Sequence, residues 1–175
     1  MNIELQSCGL LMLLILLVIM WRDKNLERNM HKTFRIAVMS CIACLVMDIV
    51  SVIAIVYAGK GQFSHTATLF ICKAYLVLLI NVGYRGFLYV ATEFFEEKKH
   101  AFLQNSYRVL FLLGAAAIII LPIDYYSSGR TVYSFGPSAM AAYVFAFISF
   151  ASTIFIFALP WTISVQEDRI WTTLS

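Results

Sequence analysis

The sequence predicts an all-α membrane protein: a polytopic helical bundle of about five transmembrane helices, with the N-terminus outside and the C-terminus inside. Hydrophobic residues make up 61% of the chain and charged residues only 13%, whereas a soluble domain carries roughly 25% charged residues. The apolar residues gather into runs close to the roughly 20 helical residues that cross a bilayer. None of these runs alternates with a period of two, as barrel strands do, so the spans are predicted to be helices.

Five apolar runs are the candidate spans, approximately residues 3–21, 34–57, 68–95, 107–123 and 138–161. The apolar part of the first run follows Glu4. The run lacks both a basic leader and a small-residue cleavage site, so we interpret it as a retained helix rather than a secretory signal. The third is long enough to tilt, and the fourth is short. Residues 1–161 are thus predicted to be one bundle, followed by a short cytoplasmic tail, residues 162–175.

The positions of Lys and Arg predict the orientation. Nine of these residues lie in the loops after the first and third spans and in the tail, and two lie in the loops on the other side. Cytoplasmic loops attract the positive excess, so the N-terminus is predicted to lie outside. The net charge of +3 is explained by this pattern. Basic residues are not clustered as a nucleic-acid interface requires, so the predicted partner is the lipid bilayer and not nucleic acid.

Two opposite charges, Asp48 and Lys73, lie inside the second and third spans. Both are predicted about 10 to 14 Å below the outer surface, at 1.5 Å of rise per residue. The two helices are joined by a short loop, so they are expected to be antiparallel neighbours with the charges close enough to pair. Charges inside a membrane are functional candidates by default, so one interpretation is a proton or ligand relay. The alternative is a structural salt bridge that fixes the register of the two helices.

Arg85 lies deeper in the third span, in the stretch NVGYRG. It is predicted either to carry a signal along the helix or to extend its side chain towards the inner headgroups. Gly83 and Gly86 are expected to let another helix approach closely. The fifth span carries small residues three and four positions apart, a seam that serves either packing within the chain or a homodimer. The seam consists of Ala139, Ala142, Ala146, Ser149 and Thr153.

The sequence predicts no metal site, no cofactor and no catalytic centre. The four cysteines are distributed over three spans, and the three histidines lie in three different loops. A zinc site normally needs four ligands with recognisable spacing, and no P-loop, nucleophile elbow or H-E-x-x-H motif occurs. The longest loops are also too short for a soluble catalytic core.

The stretch GRTVYSFGPSAMAAY joins the fourth and fifth spans on the predicted outer side. TVYS is a short β-prone run, and Gly136 followed by Pro137 is typical of a helix start. One interpretation is an ordinary helix entry with interfacial aromatics. The other is a rigid external lid whose Tyr133 and Phe135 face a cleft between helices.

Three stretches of the chain resemble a known group of bacterial sensory domains: VYSFGPSAMAAYVFAF, LVMDIVSVI and CKAYLVLL. These multispan membrane domains stand at the N-terminus of Firmicutes-type signalling proteins that carry a cytoplasmic GGDEF diguanylate cyclase, sometimes with an EAL phosphodiesterase. Their outer turn commonly reads Tyr-Ser/Thr-Tyr-Gly-Pro, which is similar to residues 133–137 here. The resemblance covers most of residues 1–160.

The resemblance implies an input module in the bacterial cytoplasmic membrane, in which an unidentified small ligand changes helix packing and biases an output domain. The site residues that it implies are Tyr133, Phe135, Gly136 and Pro137 at the mouth, with Asp48, Lys73 and Tyr75 beneath. The chain departs from the family because no GGDEF, GGEEF or EAL string occurs and fifteen residues follow Pro160. We therefore expect a truncated, non-catalytic module. The alternatives are a small transporter or channel subunit, with Asp48 and Lys73 as coupling charges, and a structural membrane partner.

Overall fold

The computed structural model describes residues 4–22, 32–94, 97–128 and 131–173. This part of the chain forms five helices and one antiparallel β-hairpin. In chain order the elements are α1 (Glu4–Arg22), α2 (Lys32–Gly59), α3 (His65–Phe94), α4 (Glu97–Ile120), β1 (Asp124–Ser127), β2 (Val132–Phe135) and α5 (Pro137–Thr173).

Four of the described helices contain apolar segments long enough to cross a membrane, so the prediction of an all-α membrane helical bundle is confirmed. These segments are Lys32–Gly59, His65–Ala91, Phe102–Ile120 and Pro137–Ile156. The first predicted span is also helical, as α1, and its described apolar part is the shorter Ser7–Val18. The fifth predicted span was expected to end at 161, and the helix itself continues to Thr173.

Hydroxyl side chains inside the helices bond to carbonyl groups of their own backbone. The hydroxyls of Ser40, Thr68 and Thr153 donate to the carbonyl oxygen four residues earlier, at 2.8 to 3.0 Å, and that of Ser51 donates to the carbonyl of Asp48 at 2.8 Å. A polar group in a membrane span is costly when it has no partner. These local bonds let an apolar helix carry small polar residues without burying an unsatisfied group.

Helix α3 is the centre of the bundle and packs against α2, α4 and α5, while α1 packs against α2. The small-residue seam of α5 faces α3 within the same chain, because a Cβ at Gly83 would lie only 2.8 Å from the Cβ of Ser149. Packing within the chain is therefore the use of this seam that the structure shows. Gly86 was also expected to let another helix approach closely, but nothing lies within 4 Å of a Cβ placed there.

The buried apolar residues form two clusters at different heights. We call the end of the bundle that carries the hairpin the outer end, following the charge pattern. The outer core consists of Ile55, Cys72, Leu76, Ile80, Ile118, Ile123, Ala139 and Ala142. The inner core is smaller and consists of Phe87, Ala91 and Ile156. Among the side chains that the structure describes, the outer core is therefore the larger of the two.

Candidate functional site at the outer end of the bundle

The hairpin of β1 and β2 lies across the outer end of the bundle. Its register pairs Asp124 with Phe135 and Tyr126 with Tyr133. Alternate residues of a strand point to opposite faces, and burial follows that alternation in both strands. One face is therefore turned towards the helices, and the other is turned away from them.

The face turned towards the helices is fastened to two of them. Nδ1 of His65, at the start of α3, lies 2.9 Å from the hydroxyl oxygen of Tyr125, and the two rings lie 5.1 Å apart. A Cβ at Gly59, the last residue of α2, would lie 3.0 Å from the hydroxyl of Ser127. Val132 packs on the outer core. The hairpin is thus held by a polar contact to α3 and by close packing against α2.

The opposite face carries an exposed row of aromatic side chains: Tyr126, Tyr133 and Phe135. The ring centroids of Tyr126 and Tyr133 lie 5.5 Å apart, and those of Tyr133 and Phe135 lie 6.1 Å apart. Tyr133 is 53% exposed and Phe135 is 45% exposed. The structure differs here from a lid whose Tyr133 and Phe135 face a cleft between helices. The pairing of Asp124 with Phe135 turns both side chains outward, and Tyr125 takes the inward position.

Gly136, Pro137 and Ser138 form the junction between the hairpin and α5. Gly136 has a φ of +115°, a conformation that favours glycine, and a Cβ there would lie 3.2 Å from the carbonyl oxygen of Pro122. Pro137 is the first residue of α5, where its fixed φ suits the helix and its missing N–H is not needed. The expected helix start is confirmed, and the glycine is required both by its φ and by a close backbone approach.

Ser138 fastens the start of α5 to the end of α4. Its side chain is fully buried, and its hydroxyl donates to the carbonyl oxygen of Ile118 at 2.9 Å. Its backbone N–H donates to the carbonyl oxygen of Pro122 at 3.2 Å. The last four carbonyls of a helix have no partner within the helix, so Ser138 satisfies one of them and joins two helix ends.

Lys73 satisfies the next carbonyl of the same helix end. Its ammonium group donates to the carbonyl oxygen of Ile119 at 2.6 Å, a contact that also suits the negative end of the α4 dipole. This contact differs from the predicted pair with Asp48. Lys73 and Tyr75 are two positions apart, so their side chains leave α3 about 200° apart. They therefore serve different neighbouring helices, Lys73 contacting α4.

Tyr75 brings together the polar groups inside the bundle. It makes a side-chain hydrogen bond to Asp48 of α2, and Cys44 and Tyr143 also lie within electrostatic range of its hydroxyl. A phenol can donate a hydrogen bond to a carboxylate, so the Asp48 carboxylate is stabilised by a neutral donor. Asp48 and Tyr75 therefore contact each other inside the bundle, while Lys73 contacts α4.

Arg85 lies apart from this site, towards the inner end of α3. Its guanidinium carbon lies 5.6 Å from the ring centre of Tyr84. Asn81 and Tyr89, one helical turn away on either side, both contact α2, through Ser40 and Phe34. Because residues four apart share a helix face, Arg85 also lies on the face turned towards α2. The Arg85 Nε atom is buried without a hydrogen-bond partner in the described part of the chain.

The outer site contains hydrogen-bonding and aromatic groups, and its arrangement is suited to binding and to mechanical coupling. Within the described residues, no group of three or more His, Cys, Asp and Glu side chains comes together as a metal site would require. A change in the hairpin would act on the ends of α2 and α3 through Ser127 and Tyr125, and on α4 through Ser138.

Sequence reasoning missed four residues of this site: His65, Tyr125, Ser138 and Tyr143. His65 and Tyr125 are sixty positions apart, and no periodicity connects them. Ser138 follows Gly136 and Pro137, which predict the start of α5. They do not predict that Ser138 also contacts the end of α4. Tyr143 was part of the quoted outer stretch, and only the packing of α5 against α3 brings it near Tyr75.

The comparisons with known proteins give no relative of this chain. No family model, no curated protein and no solved structure matches it.

Proposed function

We propose that this chain is a membrane-embedded sensory module of a bacterial cytoplasmic membrane, which passes the state of its outer hairpin to the packing of its helices. The observation that carries the proposal is the attachment of one small external element to the ends of several spans. Tyr125 contacts α3, Ser127 contacts α2, and the junction at Ser138 contacts α4. An external hairpin attached in this way has a direct route to the helix bundle.

A ligand can shift such a module only if it binds two packing states with different affinity. The exposed row of Tyr126, Tyr133 and Phe135 is the aromatic surface that an external small molecule would meet first. Aromatic faces bind cations and other rings, so an apolar or cationic small molecule suits this row best. Tilting the hairpin would strain or release the contact between His65 and Tyr125.

The output that we propose is control of cyclic di-GMP synthesis, by a diguanylate cyclase domain outside these 175 residues. The resemblance of the outer turn and of the Asp48 and Lys73 segments to sensory domains of that class supports this step. The chain itself is proposed to be non-catalytic. Purified protein incubated with GTP and Mg²⁺ should form no cyclic dinucleotide, and formation of that product would contradict the proposal.

The coupling is tested by measuring a distance at the inner end after a change at the outer end. Spin labels at Phe102→Cys and Ile154→Cys report on the separation of α4 and α5, in a background whose native cysteines are replaced by alanine. Both positions are exposed. Tyr125→Phe removes the hydroxyl that contacts His65. Tyr126→Phe is the matched control, because it removes a hydroxyl from the outward face of the same strand.

In lipid nanodiscs, Tyr125→Phe should shift or broaden the distance distribution between the labels, and Tyr126→Phe should leave it unchanged. An unchanged distribution in both variants, with both proteins folded, would favour a structural membrane partner over a sensor. The transporter alternative has its own readout. It predicts substrate or proton flux in proteoliposomes that disappears with Asp48→Asn, the carboxylate that Tyr75 contacts.

A further inference from the structure

A groove lies between α4 and α5 near the inner core. It has a volume of about 540 Å³ and is open on one side. Phe87 of α3 lies at its base, Leu103 and Tyr107 line it from α4, and Ser152 and Phe155 line it from α5. Binding pockets for small apolar molecules commonly have volumes of roughly 300–1,000 Å³, so the groove is large enough for one lipophilic chain.

The groove lies where α4 passes from the headgroups into the hydrocarbon. Gln104, Asn105 and Ser106 are exposed polar residues directly before Tyr107, and Arg108 directly after it is also exposed. Exposed polar side chains on a membrane helix indicate the headgroup level, because they are costly in hydrocarbon. Tyr107 therefore lies at the height at which the ester groups of a phospholipid join its acyl chains.

The groove contains the Tyr107 hydroxyl, which is held in a fixed position and has no hydrogen-bond partner of good geometry among the described residues. The Tyr107 ring stacks on Phe87, with centroids 3.4 Å apart and planes 7° from parallel. Its hydroxyl oxygen is buried and has no hydrogen-bond partner of good geometry within the described residues, although the Ser152 hydroxyl lies nearby. Buried polar groups almost always have a partner, so this donor indicates an acceptor on a molecule that occupies the groove.

The charge around the groove selects the class of that molecule. Arg108, which directly follows Tyr107, is exposed and basic. Basic residues beside grooves on the cytoplasmic side of membrane helices attract anionic lipid headgroups. We propose that the α4–α5 groove is a binding site for one anionic phospholipid, with an acyl chain between α4 and α5 and an ester carbonyl accepting the hydrogen bond of Tyr107. This proposal does not depend on the proposed sensory function.

The first test uses the wild-type protein and two lipids that share the same acyl chains. Native mass spectrometry in detergent measures the binding of dioleoyl phosphatidylglycerol and of dioleoyl phosphatidylcholine. The first phosphatidylglycerol molecule should bind at least about tenfold more tightly than the first phosphatidylcholine, because only the former is anionic. Equal affinities would show unselective lipid coating of the helices and would overturn the proposal.

Variants locate the site. Ala151→Phe fills the groove and should weaken the first binding of phosphatidylglycerol about tenfold, whereas Val144→Phe adds the same ring to an exposed position elsewhere on α5 and should leave it unchanged. Tyr107→Phe should weaken it about fivefold, the effect of one lost hydrogen bond. Tyr57→Phe, an exposed tyrosine at the outer end, is its control. Unchanged binding in both groove variants would overturn the proposal.

A labelling experiment on the wild-type protein keeps the test independent of variant folding. A phosphatidylglycerol with a photoreactive group on its acyl chain is bound to the protein, irradiated and mapped by peptide mass spectrometry. The adducts should concentrate at residues 103–107 and 151–156, and an excess of unlabelled phosphatidylglycerol should abolish them. Adducts spread evenly over the exposed faces of all helices would contradict the assigned site.

Discussion

The outer and inner halves of this bundle are built from the same helices but are completed differently. At the outer end, Ser138 and Lys73 satisfy two carbonyls of α4, and the hairpin covers the helix ends. At the inner end, the described part of the core is small, and a groove of about 540 Å³ lies between α4 and α5. The Nε of Arg85 and the hydroxyl of Tyr107 lack partners among the described residues.

This difference indicates how a change at the outer end can reach the inner end. A closely packed region has few alternative arrangements, because moving its side chains leaves cavities or creates steric strain, and both cost free energy. A region with open volume and unsatisfied polar groups can adopt another packing with smaller penalties. The outer half is therefore expected to move as one unit, and the inner half is expected to repack more easily.

The largest effect is expected at the glycine of the outer junction. Gly136→Ala forces an L-residue to a φ of +115° and places a Cβ 3.2 Å from the carbonyl oxygen of Pro122. It should lower the free energy of unfolding by about 2–3 kcal/mol, measured by denaturant titration in detergent micelles. Gly61→Ala is the control, because Gly61 has a φ of +71° but open space around it. Gly61→Ala should lower the free energy of unfolding by about 1 kcal/mol. If both variants lowered it equally, the contact with Pro122 would have no effect.

The next effect compares filling the packed half with filling the open half. Ala142→Leu introduces a larger side chain at a fully buried position of the outer core and should lower stability by about 1–3 kcal/mol. Ala151→Leu enters the groove and should change stability by less than about 0.5 kcal/mol. Thermal unfolding of both variants in the same detergent measures the difference. If Ala151→Leu were as harmful as Ala142→Leu, the inner half would not be open in solution.

A smaller effect is expected from the hydroxyl that joins two helix ends. Ser138→Ala leaves the carbonyl of Ile118 without its buried donor and should lower the free energy of unfolding by about 1–2 kcal/mol. Ser152→Ala removes a hydroxyl at the groove and should change it by less than about 0.5 kcal/mol. Denaturant titration of the two variants measures both changes. Similar losses of stability would contradict the difference in packing between the outer and inner halves.

The smallest effect concerns the two intramembrane charges. Lys73→Met removes the donor to Ile119 and should lower stability by about 1 kcal/mol, while Asp48→Asn weakens the contact with Tyr75. Because the two residues have different partners, their effects should add, with a coupling energy below about 0.5 kcal/mol. The double variant measures this coupling. A double variant more stable than either single variant would restore a direct Asp48–Lys73 pair.

Local sequence signals predicted the spans and the helix start at Pro137, because each depends on residues adjacent in sequence. The β-prone run before Gly136 was also recognised, and it forms β2. Its partner β1 was missed, because Asp124, Tyr125 and Tyr126 lie beside a membrane span, where interfacial aromatic residues are also expected. An aromatic-rich segment beside a membrane helix fits both interpretations until the pairing partner is known.

The contacts that define the candidate site are long-range, and sequence patterns do not determine them. Whether Tyr125 or Tyr133 faces the helices depends on strand register, and a shift of one residue exchanges the two faces. Asp48 and Lys73 lie at similar depths in adjacent helices, which suggested a pair. The depth of a residue in the membrane does not specify how its helix is rotated about its own axis. The rotation of α3 directs Lys73 to α4 and Tyr75 to α2.

The central claim is that the outer junction and the inner α4–α5 contact respond together. Hydrogen exchange of wild type, Gly136→Ala and Gly61→Ala in phosphatidylcholine nanodiscs tests it most directly. We predict that Gly136→Ala accelerates exchange both at residues 121–138 and at residues 102–107 and 149–156, and that Gly61→Ala affects neither inner segment. Faster exchange confined to residues 121–138 in Gly136→Ala would contradict the coupling between the two halves.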